Sequence, residues 1–505
     1  IQGGTGVETL DLRGLGSTRS LTLLDGRRVG GSGTRGQVQA VDLSMIPDLH
    51  VTRLEIVLDG SSSIYGSDAV AGVANIITRR SVDGTEVNVL ADVPLDSGGE
   101  FYRAGILTGA NFDNGSITFS AQYQKQESLT TGDRDYLACD RDIVTGPDGN
   151  RIDRENRSVI AGSQYEDCYN MWFDSVIDVA TGTRWITSPD GVFNGPIPGR
   201  RARENSRYDQ DPIGQAYYET VRFGEFLLSE TAINEQERIN LYGTADFSFG
   251  NVDWDANVLY STRETTRIGW RQFFPLIGGA NGAALFNFPP YAYANDPDYN
   301  PIGERGVTGD VEAQITQPIY PYPLNSNIDV SFLYASTGFS GVLPTDNYWA
   351  WQVYGTYSRS DGDYGQNAID ERKSGDVRFD PNPPTYNPYD PRLLNGEGMM
   401  DLINIVGADT IGNTVYDQWS ATAVIAGDLF QLPAGIMGSA FGVEYRDFCI
   451  DDQPDPLSQS GDSWGLTSAT VTQGSNSGAE AFGEIEVPIL AGITGFEELT
   501  FNGSA

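Results

Sequence analysis

Residues 58–80 read LDGSSSIYGSDAVAGVANIITRR. Small residues dominate, one tyrosine interrupts them, and the run closes on Asn-Ile-Ile-Thr and two arginines. Neither the period of an amphipathic helix nor the alternation of a half-buried strand fits it. A phosphate loop, a nucleophile turn or a compact packing element could look like this. The first two fail on spacing. Gly60 and Gly66 stand at the wrong interval for a P-loop and no lysine follows them. Ser62 has Ile64 where a nucleophile turn requires glycine. A packing element remains, and its meaning depends on what flanks it.

Upstream, GSGTRG at 31–36 spells G-x-G-x-x-G after the strand-like LTLLDGRRV. A dinucleotide site needs a helix next. QVQAVDLSMIP alternates instead and ends at Pro47, so a glycine-rich surface loop is expected. No His-Glu-x-x-His occurs, and none of these segments points to an enzyme.

Composition narrows the partners. The chain of 505 residues carries 69 acids against 32 bases, a formal net charge of -37. The balance argues against nucleic acid as a partner, because neutralising phosphates needs clustered cations. Disorder does not follow, since 39% of residues are hydrophobic and 11% aromatic. The single histidine, His50, rules out a His-rich zinc site. Cys139 and Cys168 could form a disulfide or remain free, and Cys449 stands apart. The acid clusters DGDYGQNAIDE (361–371) and GPDGNRIDRE (146–155) read as solvated loops with some capacity for calcium. No other cofactor or metal is expected. No apolar run reaches the ~18 residues of a membrane helix.

Downstream of residue 83 the character changes to two-residue alternation. In NGSITFSAQYQ, Ile117, Phe119, Ala121 and Tyr123 share one face and Thr118, Ser120 and Gln122 the other. RINLYGTADFSFGNVDWDANVLY repeats the pattern on both sides of a Gly-Asn turn. NYWAWQVYGTY and QWSATAVIAGDLFQLPAGIMGSAFGVEYRD continue it. Tight turns at 112–115, 250–251, 342–346 and 431–434 alternate with the long polar stretches 128–235, 263–326, 361–415 and 448–476. A soluble sandwich or propeller rarely carries such long loops on alternate connections. Outer-membrane barrels do. Strands are placed at 84–92, 101–110, 116–126, 237–249, 252–262, 327–341, 346–359, 416–429, 435–447, 478–489 and 498–505. That odd set ends within an alternating stretch, whereas bacterial barrels have even counts. Half of a 22-stranded barrel, incomplete at its C-terminus, is expected.

The run LRGLGSTRSLTLLDGRRV followed by VDLSMIPDLHVTRLEIVLDGSSSIYGSDAVAGVANIITRR resembles the plug domain of TonB-dependent outer-membrane receptors. The matching elements are Leu-Arg-Gly (12–14, with Gly14), Leu-Leu-Asp-Gly (23–26, with Asp25 and Gly26), Ile-Pro (46–47), Arg-Leu-Glu-Ile (53–56), Asp-Gly-Ser-Ser-Ser-Ile-Tyr-Gly (59–66, with Gly60, Tyr65 and Gly66) and Gly-Val-Ala-Asn-Ile-Ile-Thr (72–78, with Gly72 and Asn75). FGEIEVPIL at 482–490 also looks like the middle of such a barrel.

The resemblance implies an all-β membrane barrel with a small α+β plug inside, the plug over 1–82 and the barrel over 83–505, each lacking a part. It implies the outer membrane of a Gram-negative bacterium, TonB as periplasmic partner, surrounding lipid, and import of a scarce nutrient such as a siderophore, glycan or peptide. It also implies that plug arginines pair with barrel glutamates. Arg13 and Arg53 are carried over for that role, with Glu55 in the same motif and Glu444 as partner. Asp253, Asp255, Glu484 and Glu486 are further wall acids, and Arg79 and Arg80 further plug cations. Leu21, Leu23, Leu54, Ile56, Val73, Ile76 and Ile77 are the expected plug core. Arg35, Ser62 and Tyr65 are candidate substrate contacts at the plug apex. The alternative is a surface-exposed structural or adhesive barrel without transport.

Overall fold

A computed structural model describes residues 6–35, 40–58, 69–138, 156–158, 173–179, 183–187, 200–202, 218–220, 224–278, 315–345, 348–380, 384–493 and 496–505. The first strands are β1 (Ser20–Leu24), β2 (Arg27–Arg28), β3 (Val51–Val57) and β4 (Gly72–Thr78), in the order β2-β1-β4-β3. β1 and β4 run parallel, and the other two pairings are antiparallel. Asp25 and Gly26 make the β1–β2 turn with φ of 50° and 78°. Both values are left-handed, as a tight primed hairpin turn demands. Asn75 holds the tip, its Oδ1 accepting from Gly26 N at 2.8 Å. Gly72 has φ 138°, and a Cβ there would meet the Val57 carbonyl at 2.6 Å. The helices described in this unit are short 3-10 turns, at Leu12–Gly14, Ser17–Arg19, Leu43–Met45 and Asp48–His50.

Beyond residue 83 stands one antiparallel sheet of eleven strands, each on one of the alternating stretches. They are β5 (Gly84–Asp92), β6 (Phe101–Phe112), β7 (Gly115–Gln126), β8 (Glu235–Phe249), β9 (Val252–Arg267), β10 (Ser326–Leu343), β11 (Trp349–Ile369), β12 (Gly407–Leu432), β13 (Gly435–Gln453), β14 (Thr472–Ile493) and β15 (Phe496–Ser504). Each pairs with its neighbour in sequence, which is the meander of a barrel wall.

The two faces of this wall are the reverse of a soluble protein's. On β7, Ile117, Phe119 and Tyr123 are exposed while Ser116, Thr118, Ser120, Gln122 and Gln124 are buried. β8, β9, β11, β12 and β13 expose Leu241, Val258, Val353, Trp419 and Val443 in the same way. Leaving such a side chain in water forfeits about 1.5–3 kcal/mol. Over a dozen positions only a lipid surround makes that face tolerable. Apolar-out and polar-in alternation is the transmembrane barrel pattern. The chain is an all-β membrane barrel wall with a small plug lodged against its inner face.

The plug core differs from expectation at one edge. Leu21, Leu23, Val73 and Ile76 are buried. Leu54 and Ile56 are half exposed, because β3 is the edge strand of the plug sheet. A larger core joins the two units: Leu24, Val29, Met45, Ile46 and Ile76 pack against the wall residues Tyr242, Leu259, Ile328, Val330, Phe332 and Tyr334.

On the long-loop side the strands overshoot the expected ends. β12 has 26 residues, where about 9–11 tilted residues span a bilayer. Residues 361–369 and 407–415, expected as loop, are strand. There the outer face has left lipid while the inner face packs on the plug and the loop core, so the apolar-polar alternation of the sequence fades while backbone pairing continues. Beyond them the loops build a second core. Segments Arg200–Ala202, Arg184–Thr187, Ser175–Asp178, Ile315–Pro323 and Trp270–Phe273 form a sheet in that order. It packs on the helices Pro391–Leu394 and Met399–Val406 through Val176, Trp185, Phe273, Tyr320, Leu402 and Trp464.

Candidate functional site

The plug meets the wall through charges offered from both sides. Arg27, next to the hairpin turn, pairs with Asp255 at 2.7 Å, donates to Ser336 Oγ at 3.2 Å and lies over the Tyr354 ring. Arg28 reaches Glu444 at 3.1 Å, and the wall's own Arg446 flanks the same carboxylate at 3.0 Å. Arg80, where the chain passes from plug to wall, bridges Asp25 at 3.0 Å, Asn257 at 2.8 Å and the Asp246 carboxylate. Its guanidinium is partly desolvated, but Asp25 and Asp246 raise its pKa above the usual arginine value. In the other direction, wall Arg263 holds plug Asp42 at 3.0 Å, Arg103 holds Asp48 at 2.9 Å and Arg238 holds Glu8 at 3.3 Å.

Between these pairs the wall presents hydroxyls and amides to plug backbone. Gly33 N donates to Ser360 Oγ at 3.1 Å, and Arg35 N to Thr414 Oγ1 at 3.0 Å. Leu49 N donates to Gln122 Oε1 at 3.3 Å, and Asn240 Nδ2 to the Met45 carbonyl at 2.9 Å. Each such bond has a close equivalent with water, so its net worth is only about 0.5–1.5 kcal/mol. The plug is held by many replaceable contacts and a few buried charges.

The residues singled out in the sequence fall unevenly on this interface. Glu444 takes a plug arginine, but that arginine is Arg28, not Arg13 or Arg53. Arg53 instead pairs with Glu55 two residues along its own strand at 2.7 Å, both well exposed. β3 is the exposed edge strand of the plug sheet and carries the pair clear of Glu444, which the β1–β2 hairpin reaches instead. Arg13 lies exposed in the 12–14 turn with φ 59°. Of the other wall acids, Asp255 holds Arg27, while Asp253, Glu484 and Glu486 pair with no plug residue among those described. Pro47 precedes and caps the 48–50 turn. Gly14 lies in the left-handed region. Gly60, Ser62, Tyr65 and Gly66 lie outside the described residues, as do Cys139, Cys168 and the 146–155 cluster. The 361–371 cluster is mostly strand rather than loop, and Asp361 and Asp363 there both accept from Asn413 at 2.8 Å.

Sequence reasoning missed Arg27, Arg28, Asp42, Asp246 and Arg263. One signal was available. Arg263 falls on the inward phase of β9 with Asp255, Asn257 and Ser261, and an inward arginine needs a carboxylate across the gap.

The segment 30–35 was expected to be a surface loop. It is buried against β11 and β12, with Ser32 and Thr34 fully covered. Its end opens on a cavity of about 390 Å³ lined by Arg35, Arg267, Tyr364, Gln366, Asp455 and Ser458 among others. That volume suits a small molecule. Arg35 adopts φ 51°, stands 3.9 Å from Asp452 and lies over the Tyr364 ring. Tyr364 and Thr414 both donate to the same Asp452 oxygen, at 2.9 and 2.8 Å. Asp455 is occupied by the backbone amides of Leu457 and Ile411, at 2.8 and 3.4 Å. The cavity therefore sits between plug apex, upper wall and the 454–468 segment. Above it the loop core is stiffened by paired Asp-x-Arg turns. Burial alone would raise the Asp370 pKa, but hydrogen bonds from Arg372 hold it below the usual range. Arg378 does the same for Asp376, which also accepts from Trp464 Nε1 at 3.2 Å.

Residues 1–73 match the family model of the TonB-dependent Receptor Plug Domain. The chain is 24% identical over 394 residues to the vitamin B12 transporter BtuB of Vibrio cholerae serotype O1, a match covering 65% of this chain and 62% of that protein. It thus spans less than two thirds of the length of that relative. Among solved structures it is similar to a mutant of the ferric enterobactin receptor PfeA of Pseudomonas aeruginosa in complex with enterobactin, at 13% identity and TM-score 0.48. That match covers 94% of this chain and 49% of the receptor. It is also similar to the siderophore receptor PiuA of Acinetobacter baumannii, at 12% identity and TM-score 0.42, covering 96% and 57%.

Proposed function

We propose that this chain is part of a TonB-dependent receptor and serves energised import of a scarce small-molecule or oligomeric nutrient, a reading that its plug-domain match and its likeness to BtuB support. The place is the outer membrane of a Gram-negative bacterium, with TonB as periplasmic partner. The observation that carries the reading is the seat itself. The plug occupies the polar inner face through contacts that water can replace, and its apex residue Arg35 opens on a cavity. A passive wall needs neither. A ligand would enter beneath the loop core, meet Arg35, Tyr364 and Gln366, and pass only when the plug moves. A siderophore, glycan or peptide remains within the chemistry of that cavity. The named ligands of the relatives, vitamin B12 and enterobactin, are the first probes.

The test is uptake of labelled probes by cells carrying the full-length protein, with and without an uncoupler of the inner-membrane proton gradient. Accumulation that stops with the uncoupler supports import. Surface binding of the same probes with no accumulation under either condition supports the structural or adhesive reading instead.

A further inference from the structure

His50 occupies the seam between plug and wall, and its ring is shut off from water. It is fully buried. Its Nδ1 lies 2.9 Å from Ser120 Oγ of β7, and its ring packs edge-on against Tyr242 of β8 at 4.5 Å between centroids. Nε2 is buried with no hydrogen-bond partner among the described residues. The backbone ties the same residue to the passage from plug to wall, because the His50 carbonyl accepts from Arg79 N at 2.7 Å.

The charges around it are mixed: Asp25 favours an imidazolium, and Arg79 and Arg80 oppose it. Arg79 and Arg80 lie on the segment that follows β4. Asp25 is the nearest carboxylate of the plug hairpin, but Thr78 N, Thr78 Oγ1 and Arg80 already occupy it, at 2.9, 2.6 and 3.0 Å. Asp48, on the same turn as His50, faces Arg103 of β6. β7 offers Ser120 and Gln122, and β8 the Tyr242 phenol; neither strand offers His50 an anion. What opposes an imidazolium here is chiefly the loss of water around a fully buried ring, which the Arg79 backbone and the Asp25 carboxylate offset only in part.

We propose that His50 is a proton-sensitive fastener of the plug: neutral, it lets the plug seat, and protonated, it favours a displaced plug in which the ring reaches water. The direction follows from burial first. Desolvation lowers the ring's pKa to about 4 in the seat, from 6.5 in water. The displaced state thus binds more protons between those values, so seating is strongest above pH 6.5 and weakens as pH falls toward 4. The inference depends on the plug–wall contact but not on import.

The experiment uses the full-length protein in planar bilayers and reads the urea concentration at which half of the molecules conduct. For the unaltered protein that midpoint is expected to fall from pH 7.5 to 5, the seating equilibrium changing by about thirtyfold. His50→Gln should give a midpoint nearly independent of pH over that window. A flat profile for the unaltered protein, or an unchanged slope in His50→Gln, overturns the proposal. ¹⁵N-histidine labelling supplies a readout that needs no folded variant. A ring still neutral at pH 5 in the seated plug supports the proposal, and an imidazolium at pH 6 overturns it. Uptake is not measured, so failure of the import reading leaves this result standing.

Discussion

Arg263 of the wall and Asp42 of the plug lie 3.0 Å apart, and neither side chain has any exposed surface. Asp42 does more than pair. It accepts from Glu8 N and Ser44 N, so one carboxylate fixes the entering chain, the 43–45 turn and the wall together. Removing one member of a buried pair strands the other, at about 3–5 kcal/mol. Asp42→Ala should therefore lower the urea midpoint for plug displacement by the equivalent of several kcal/mol. Joint replacement of both by apolar residues (Asp42→Leu with Arg263→Met) should recover much of the loss, since no charge is left stranded. A double variant as weak as the single one would show that the charge is not what matters.

Glu444 and Arg53 should behave oppositely. Glu444→Ala removes the shared partner of Arg28 and Arg446 on the inner face. It should loosen the plug by about 1–3 kcal/mol, seen as entry of a large antibiotic that the seated plug excludes. Arg53→Ala breaks only an exposed pair within one strand. Its effect on the same leakage assay should stay within about 0.5 kcal/mol.

Arg35 should matter for ligand rather than for seating. Its guanidinium is loosely held by Asp452 and opens on the cavity. Arg35→Ala should weaken probe binding by roughly 10–100-fold, as expected for one charged hydrogen bond of about 1.5–3 kcal/mol. The urea midpoint should move little. Equal losses in both measurements would place Arg35 in the seat instead.

The loop core should melt as a unit of its own. Leu402 is fully buried among Tyr320, Phe273 and Trp464. Leu402→Ala should cost about 2–5 kcal/mol locally. Limited proteolysis from outside the cell should then cut the 270–278 and 315–324 segments faster, while the heat-modifiable gel mobility of the wall stays unchanged.

Much of this architecture was legible, for a physical reason. A wall strand inside a membrane must alternate, because one face meets lipid and the other a wet lumen, so each alternating stretch marks a strand. Ile117 to Tyr123 is the clearest case. Asp25 and Gly26 were singled out only within the Leu-Leu-Asp-Gly match, and the structure adds that they form a turn of two successive left-handed positions. What escaped was everything set by long-range register. Glu444 was picked from its phase on the strand, but which arginine reaches it depends on how the hairpin lies across β13. The loop core escaped because its members are scattered from Val176 to Trp464, with no local period to join them. The strand extensions at 361–369 and 407–415 escaped because their outer face no longer meets lipid, so nothing there demands apolar residues at every second position.

The hydroxyl-lined inner wall carries a consequence for selectivity. Ser120, Ser360, Thr414 and their neighbours bind the plug now, and water would satisfy them once the plug moves. The same face also carries Arg103, Arg238, Asp246, Asp255, Arg263 and Glu444, so a displaced plug would uncover fixed charge of both signs beside the hydroxyls. On the import reading proposed above, a solute on its way through would be sorted a second time by those charges, after the cavity and the folded loops.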